Sequence, residues 1–184
     1  MKSPISNPIL LLLLSLPTPF HLAFSLDIIQ RSCKSAAKTD PYVDYKLCVQ
    51  TLRANPNSKA ATFKELVLIS ITQSKANATE IGSEISELLK GSERWGKGKY
   101  SLGCLKGCLE IYSEAVSGLE LALGAVKMGD YETANIKVSA AMDAALSCED
   151  GYKEKDGEVS PLTEINCGFF QLNAISLAFI NMAL

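Results

Sequence analysis

The sequence predicts an all-α protein, an up-and-down four-helix bundle with a disulfide-clipped helical hairpin at its N-terminal side. Three observations carry that expectation. Apolar residues recur at alternating spacings of three and four along several long stretches. Four of the six cysteines stand equidistant from two breaks in that rhythm. No stretch alternates apolar and polar residues with the period of a strand.

The stretch 102–130 sets the plan. Leu105, Cys108, Tyr112, Ala115, Leu119, Ala122 and Val126 form one apolar face of a long helix. Gly129-Asp130 breaks it, and 131–148 forms a second helix striped by Ala134, Val138, Ala141, Ala145 and Cys148. Such small residues let two helices approach closely. If the chain reverses near Met128, Cys108 and Cys148 stand level across an antiparallel hairpin, and the spacing predicts a disulfide between them.

Before that hairpin come three further elements. The stretch 26–37 reads as a short helix, and Asp40-Pro41 as a turn, Asp able to cap and Pro suited to a first helical position. The stretch 42–54 is the second short helix. Cys33 and Cys48 are equidistant from the turn, which predicts a clip there too. Asn55-Pro56-Asn57-Ser58 breaks the pattern. From 61 to 90 a long helix follows, carrying Val67, Ile71, Ser74, Ala78, Ile81, Ile85 and Leu88 on one face. The segment 91–98 reads as a glycine-rich loop. After Cys148 comes a mixed-charge loop, 149–157. Ser160-Pro161 then opens the last helix, Ser as N-cap and Pro at the first position. That helix is apolar nearly all round, which places it inside the bundle.

Composition bounds the function. The chain has 184 residues, 47% apolar and 21% charged, the balance of a globular domain. A net charge of −2 gives no general attraction to nucleic acid or an anionic membrane. Residues 1–25 read as a secretory signal peptide: Lys2, a short leucine core, then Ala23 and Ser25 before the cut. The apolar run is too short for a membrane anchor. Cleavage takes Lys2 and His21, the only histidine, and leaves 17 basic against 20 acidic residues in 26–184, a single domain divided into a hairpin, 26–54, and a bundle, 61–184. An even number of cysteines in a secreted chain points to disulfides.

A mature chain without histidine builds no Ser-His-Asp or Cys-His arrangement and no His-containing zinc site. The expectation is no metal and no cofactor. Glu84/Glu87 and Glu149/Asp150 are paired carboxylates, read as solvated faces rather than acid–base machinery. Asn77-Ala78-Thr79 is the only glycosylation sequon, and Asn77 stands beside the apolar stripe rather than in it, so the expectation is a glycan at Asn77, with an unused sequon as the alternative. Lys90, Arg94, Lys97 and Lys99 surround Trp95, which suggests either a weak contact to an acidic wall polysaccharide or a solvated loop whose Trp covers a helix end. The residues thus describe a rigid secreted binding module rather than an enzyme.

Several segments carry a resemblance. The cysteine-clipped hairpin, Cys108-Leu109-Glu110-Ile111-Tyr112-Ser113-Glu114-Ala115-Val116, Ser139-Ala140-Ala141-Met142, and Cys148-Glu149-Asp150-Gly151-Tyr152 resemble the plant invertase/pectin methylesterase inhibitor family over the whole mature chain. Asp130–Asn135 and Val159–Thr163 look most like the branch labelled as invertase inhibitors, which includes a major plane-pollen allergen. The resemblance implies a bundle with two disulfides, located in the apoplast and cell wall rather than the vacuole, that binds, one-to-one and without covalent chemistry, to a cell-wall pectin methylesterase or to an acid invertase. Invertase inhibitors of this kind present a Pro-Lys-Phe turn to the catalytic cleft. The matching place here is Gly129-Asp130-Tyr131, a departure that favours pectin methylesterase as the target. For that enzyme the expected contacts are the exposed faces of 62–90 and 131–147. A wall protein of the same fold that inhibits nothing is the remaining alternative. Cys104 and Cys167 depart from the four-cysteine pattern. Both stand toward the open end of the central hairpin, which leaves either a third bridge, Cys104–Cys167, or two free thiols.

Overall fold

The computed structural model describes residues 20–95 and 98–184, with the side chains of 20–27 and 92–97 outside that description. Six α-helices account for most of it: α1 Phe20–Thr39, α2 Tyr45–Ala54, α3 Phe63–Trp95, α4 Lys99–Met128, α5 Tyr131–Lys153 and α6 Thr163–Ala183. A 3-10 turn, Pro56–Ala60, links α2 to α3. No strand occurs among the described residues. The all-α bundle expected from the apolar rhythm is the fold observed. The expected signal peptide lies outside the described residues up to position 19, and the expected cut after Ser25 falls within α1.

Neighbours in the bundle run α3, α4, α5, α6 and back to α3, so α3 and α5 stand on a diagonal. The core between them is apolar and closed: Ile71, Ile81 and Ile85 from α3, Leu105 and Leu119 from α4, Val138 and Ala141 from α5, Phe169 and Phe179 from α6. Buried Ala134, Ala141, Ala144 and Ala145 make α5 thin enough to lie close to α4. The α1–α2 hairpin covers the α3/α6 side, with Tyr42 edge-on to Phe170 at 5.3 Å. Helix α6 is long and apolar enough to cross a membrane by composition, but 56% of that window is buried inside the bundle. It is the core helix.

Local signals set most helix ends. Thr62 and Glu65 cap α3 reciprocally: Glu65 Oε2 accepts from Thr62 N at 2.6 Å, and Thr62 Oγ1 accepts from Glu65 N at 3.3 Å. The α4–α5 connection takes two residues. Gly129, at φ 84°, ends α4 in the left-handed conformation that only glycine adopts freely. Asp130 N then reaches Ala125 O at 2.9 Å and Gly129 N reaches Val126 O at 3.1 Å, a Schellman closure. Asp130 also starts α5, its Oδ1 accepting from Thr133 N at 2.9 Å.

Four boundaries differ from the sequence reading. Helix α3 continues through Gly91 to Trp95, which shortens the expected 91–98 loop. Helix α5 runs past Cys148 to Lys153, because Tyr152 is a buried core residue and carries the helix with it. Helix α6 begins at Thr163, not Pro161, since Ser160 Oγ accepts from Leu162 N at 3.1 Å and holds a separate turn first. Helix α2 begins at Tyr45 under an Asp44 cap, while Asp40 Oδ1 accepts from Tyr42 N at 2.8 Å and shapes the turn before it.

Candidate functional site

The tip of the α4–α5 hairpin is the most sharply defined surface feature. Gly129 and Asp130 are exposed, Met128 is 81% exposed, and Tyr131 is half-buried against the core. Hydrogen bonding of Asp130 to the Thr133 side chain and backbone holds its carboxyl below the usual range. Beside it, Lys64 Nζ on α3 donates to Lys127 O at 3.0 Å, a cation on the last carbonyls of α4. About two turns behind the tip on each helix, Leu121 is 58% and Ile136 65% exposed. The tip is thus apolar at its sides and fixed at its turn by its own backbone and capping bonds.

The faces expected to contact a partner are partly separated by the bundle. Helices α3 and α5 share no seam, so a flat partner touching both must straddle α4, because the α6 side carries the α1–α2 hairpin. Between α3 and α4 runs a shallow groove of about 340 Å³ lined by Thr79, Gly82, Ser83, Ser86, Ser113 and Ser117. Its hydroxyls donate to their own helices, for example Ser83 to Thr79 O at 3.1 Å and Ser86 to Gly82 O at 2.8 Å. Their lone pairs remain free to accept from a partner. Exposed Glu80, Glu84, Glu110 and Glu114 border this face. Lys75 pairs with Glu120 there and holds that carboxyl down.

Two disulfides are present. Cys33–Cys48 joins α1 to α2 with Cα atoms 5.8 Å apart, and Cys108–Cys148 joins α4 to α5 at 5.1 Å. A Cys104–Cys167 bridge is not: both are free thiols. Helical rise places them near the same end but ignores the side of the helix. Cys104 faces one side of α5, its Sγ 3.4 Å from Gly151 O, while Cys167 lies on the other side beside Leu146, Glu149 and Phe170. The α5 backbone stands between them.

Next to Cys108–Cys148 lies a polar network with no local signal in the sequence. Tyr112 OH donates to Asn166 Oδ1 at 2.6 Å, and Asn166 Nδ2 donates to Glu149 Oε1 at 2.6 Å. Thr163 Oγ1 donates to Glu149 Oε2 at 2.9 Å. Burial, and then the Glu149 charge, push the Tyr112 phenol far up. The network ties α4, α5 and α6 together where the disulfide ties two of them. Glu149 is therefore structural, and its sequence neighbour Asp150 points to solvent beside Lys153. Glu84 and Glu87 are exposed, with Glu87 bound by Lys90 at 2.8 Å. Glu149 lines an open groove of about 520 Å³ with Leu146, Cys167 and Phe170, where Thr163 and Asn166 hold its carboxylate, and among the described residues no three His, Cys, Asp or Glu side chains are grouped to hold a metal ion.

The expected basic loop and the sequon lie apart. Arg94, Trp95 and Lys97 have side chains outside the described residues. Lys99 lines an open groove of about 740 Å³ with Tyr100, Gly103 and Lys155, whose ammonium lies 5.0 Å from the Tyr100 ring centroid. Asn77 is half-buried in the middle of α3, with its Oδ1 sealed from solvent.

Comparison with known proteins agrees with this architecture. Residues 27–179 match the model of the family described as Plant invertase/pectin methylesterase inhibitor. The chain is 40% identical over 156 residues to Pectinesterase inhibitor 12 of Arabidopsis thaliana, covering 84% of this chain and 87% of that one. It is 39% identical over 158 residues to the "Putative invertase inhibitor" of Platanus acerifolia, covering 86% of each. A crystal structure of a mutant pectin methylesterase inhibitor from Arabidopsis superposes with TM-score 0.62 at 26% identity, over 75% of this chain and 89% of that one. These relatives are inhibitors and not enzymes. The chain belongs to the plant invertase/pectin methylesterase inhibitor family.

Proposed function

We propose that this chain is a secreted, non-covalent, one-to-one inhibitor that covers the catalytic cleft of a plant cell-wall pectin methylesterase. The observation that carries the choice of target is the turn Gly129-Asp130-Tyr131. In place of the lysine that the invertase inhibitors' turn presents, it offers a carboxylate already engaged in capping α5. The similarity to Pectinesterase inhibitor 12 supports the same choice. The contact surface is the open α3–α4–α5 side, with the α3/α4 groove accepting hydrogen bonds and Leu121, Met128 and Ile136 supplying apolar area. Clipped helices lose little entropy on association, so a rigid face of this kind turns contact area into affinity efficiently. Cleavage after Ser25 and delivery to the cell wall are part of the same reading. So is an auxiliary contact of the Lys99 groove with acidic wall polysaccharide.

Acid invertase is the second reading, favoured by the Platanus relative and by a 29% identity over 129 residues to Cell wall / vacuolar inhibitor of fructosidase 2 of Arabidopsis thaliana. A turn exchange separates the two. Asp130→Lys with Tyr131→Phe moves the turn toward Pro-Lys-Phe, and it should create or strengthen invertase binding while leaving esterase inhibition within about threefold. Loss of esterase inhibition with no invertase binding would contradict this assignment of the turn.

A further inference from the structure

The seam between α3 and α6 is polar where a core helix pair is ordinarily apolar. Ser74 Oγ lies 3.4 Å from Ser176 Oγ, both residues fully buried. The two helices run antiparallel. Three residues onward in α3 and three back in α6, Asn77 comes level with Asn173. Gln73 stands one turn from Asn77 on the same side of α3. Three amide oxygens on α3 and α6, Gln73 Oε1, Asn77 Oδ1 and Asn173 Oδ1, are buried and accept no hydrogen bond from the described residues. Such unserved acceptors are rare in native cores and costly, and three together call for a donor.

Two of the three amides are pinned. Gln73 Nε2 donates to Thr51 O at 2.6 Å, which anchors α2 to α3, and Asn173 Nδ2 donates to Phe169 O at 2.8 Å. Neither can turn over without breaking that bond. Asn77 has no such anchor among the described residues. An amide has nearly the same shape either way round, and its two ends are told apart only by the hydrogen bonds they make. Turned over, Asn77 presents two N–H groups to a seam that holds two pinned acceptors.

We propose that Asn77 is the donor of this seam: its Nδ2 serves Asn173 Oδ1 across the helix pair and Gln73 Oε1 one turn away on α3. Nδ2 is also the atom that N-glycosylation modifies. A sugar there replaces one of the two hydrogens and sets a bulky group against α6. The half-buried Asn77 amide therefore belongs to this seam, and the sequon Asn77-Ala78-Thr79 carries no glycan. The Thr79 hydroxyl, which donates to Lys75 O at 3.0 Å, is likewise engaged by its own helix.

The test has two arms. Protein secreted from plant cells should show an intact mass unchanged by an N-glycosidase. In bacterially made, correctly bridged protein, Asn77→Asp keeps the shape but removes both donors and should lower Tm by roughly 5 °C or more. Part of that loss should return on acidification, when the carboxyl protonates and donates once. Asn77→Leu with Asn173→Leu should lose less than the sum of the two single changes, because the acceptor and its donor leave together. A glycan released from Asn77 in most molecules overturns the proposal, as does an Asn77→Asp protein melting within 1 °C of wild type.

Discussion

Removing the Cys108–Cys148 bridge should cost more than removing Cys33–Cys48, and the difference follows from what each one closes. The sequence separations are 40 and 15 residues. In the chain-entropy model these correspond to about 4 and about 3 kcal/mol. All four cysteines are buried, Cys33 and Cys48 at 0% and Cys108 and Cys148 at 2% exposed, so alanine adds a void to both losses and the difference is left to the loops. For a domain of this size about 4 kcal/mol corresponds to a fall in Tm of about 8–16 °C. The perturbation is Cys108→Ala with Cys148→Ala, made in a background carrying Cys104→Ser and Cys167→Ser to prevent exchange with the free thiols. Urea unfolding followed by helical circular dichroism measures it, beside the matching Cys33→Ala, Cys48→Ala protein. The m-value should rise in both variants, more in the first, because an uncrosslinked unfolded chain exposes more surface. An unchanged m-value, or a smaller loss for the longer loop, would refute the view that these bridges act mainly on the unfolded state.

Tyr112→Phe should destabilise by about 1–3 kcal/mol, since it leaves the buried Asn166 Oδ1 without its donor; thermal unfolding measures this, and a loss near zero would show that the Tyr112–Asn166–Glu149 network is slack. Asp130 has its folded pKa depressed by Thr133, so its contribution is present above the unfolded pKa and disappears as pH falls through the folded one. Asp130→Asn keeps a capping oxygen without titrating, and should flatten the acid limb of a stability–pH curve; an unchanged limb would remove the cap from the account.

The helices were legible because a bundle writes its core into each strand of sequence: positions 105, 108, 112, 115, 119, 122 and 126 are all buried in α4. The tip was legible for a related reason, since Gly129-Asp130 closes one helix and opens the next with local bonds alone. What escaped was decided at a distance. Glu149-Asp150-Gly151 reads as loop, yet α5 continues because Tyr152 is buried and the Tyr100 hydroxyl donates to Gly151 O at 2.7 Å. Glu149 reads as a solvated charge, and only its contact with Asn166 and Thr163 makes it structural. Helical rise alone puts Cys104 and Cys167 toward the same end of the bundle, while their separation is angular, around α5. Periodicity gives the inward face of one helix but not which neighbour a flanking residue meets.

The central claim is that a rigid face of this bundle occludes pectin methylesterase. Its most direct test is side-by-side inhibition of pectin methylesterase and acid invertase by the bridged wild-type protein at the mildly acidic pH of the plant cell wall. The expected result is saturable, reversible, one-to-one loss of esterase activity at micromolar protein or below, with invertase unaffected. Loss of invertase activity alone would move the target to the second enzyme, and full activity of both at micromolar protein would contradict the inhibitor reading and leave a wall protein of the same fold that inhibits neither.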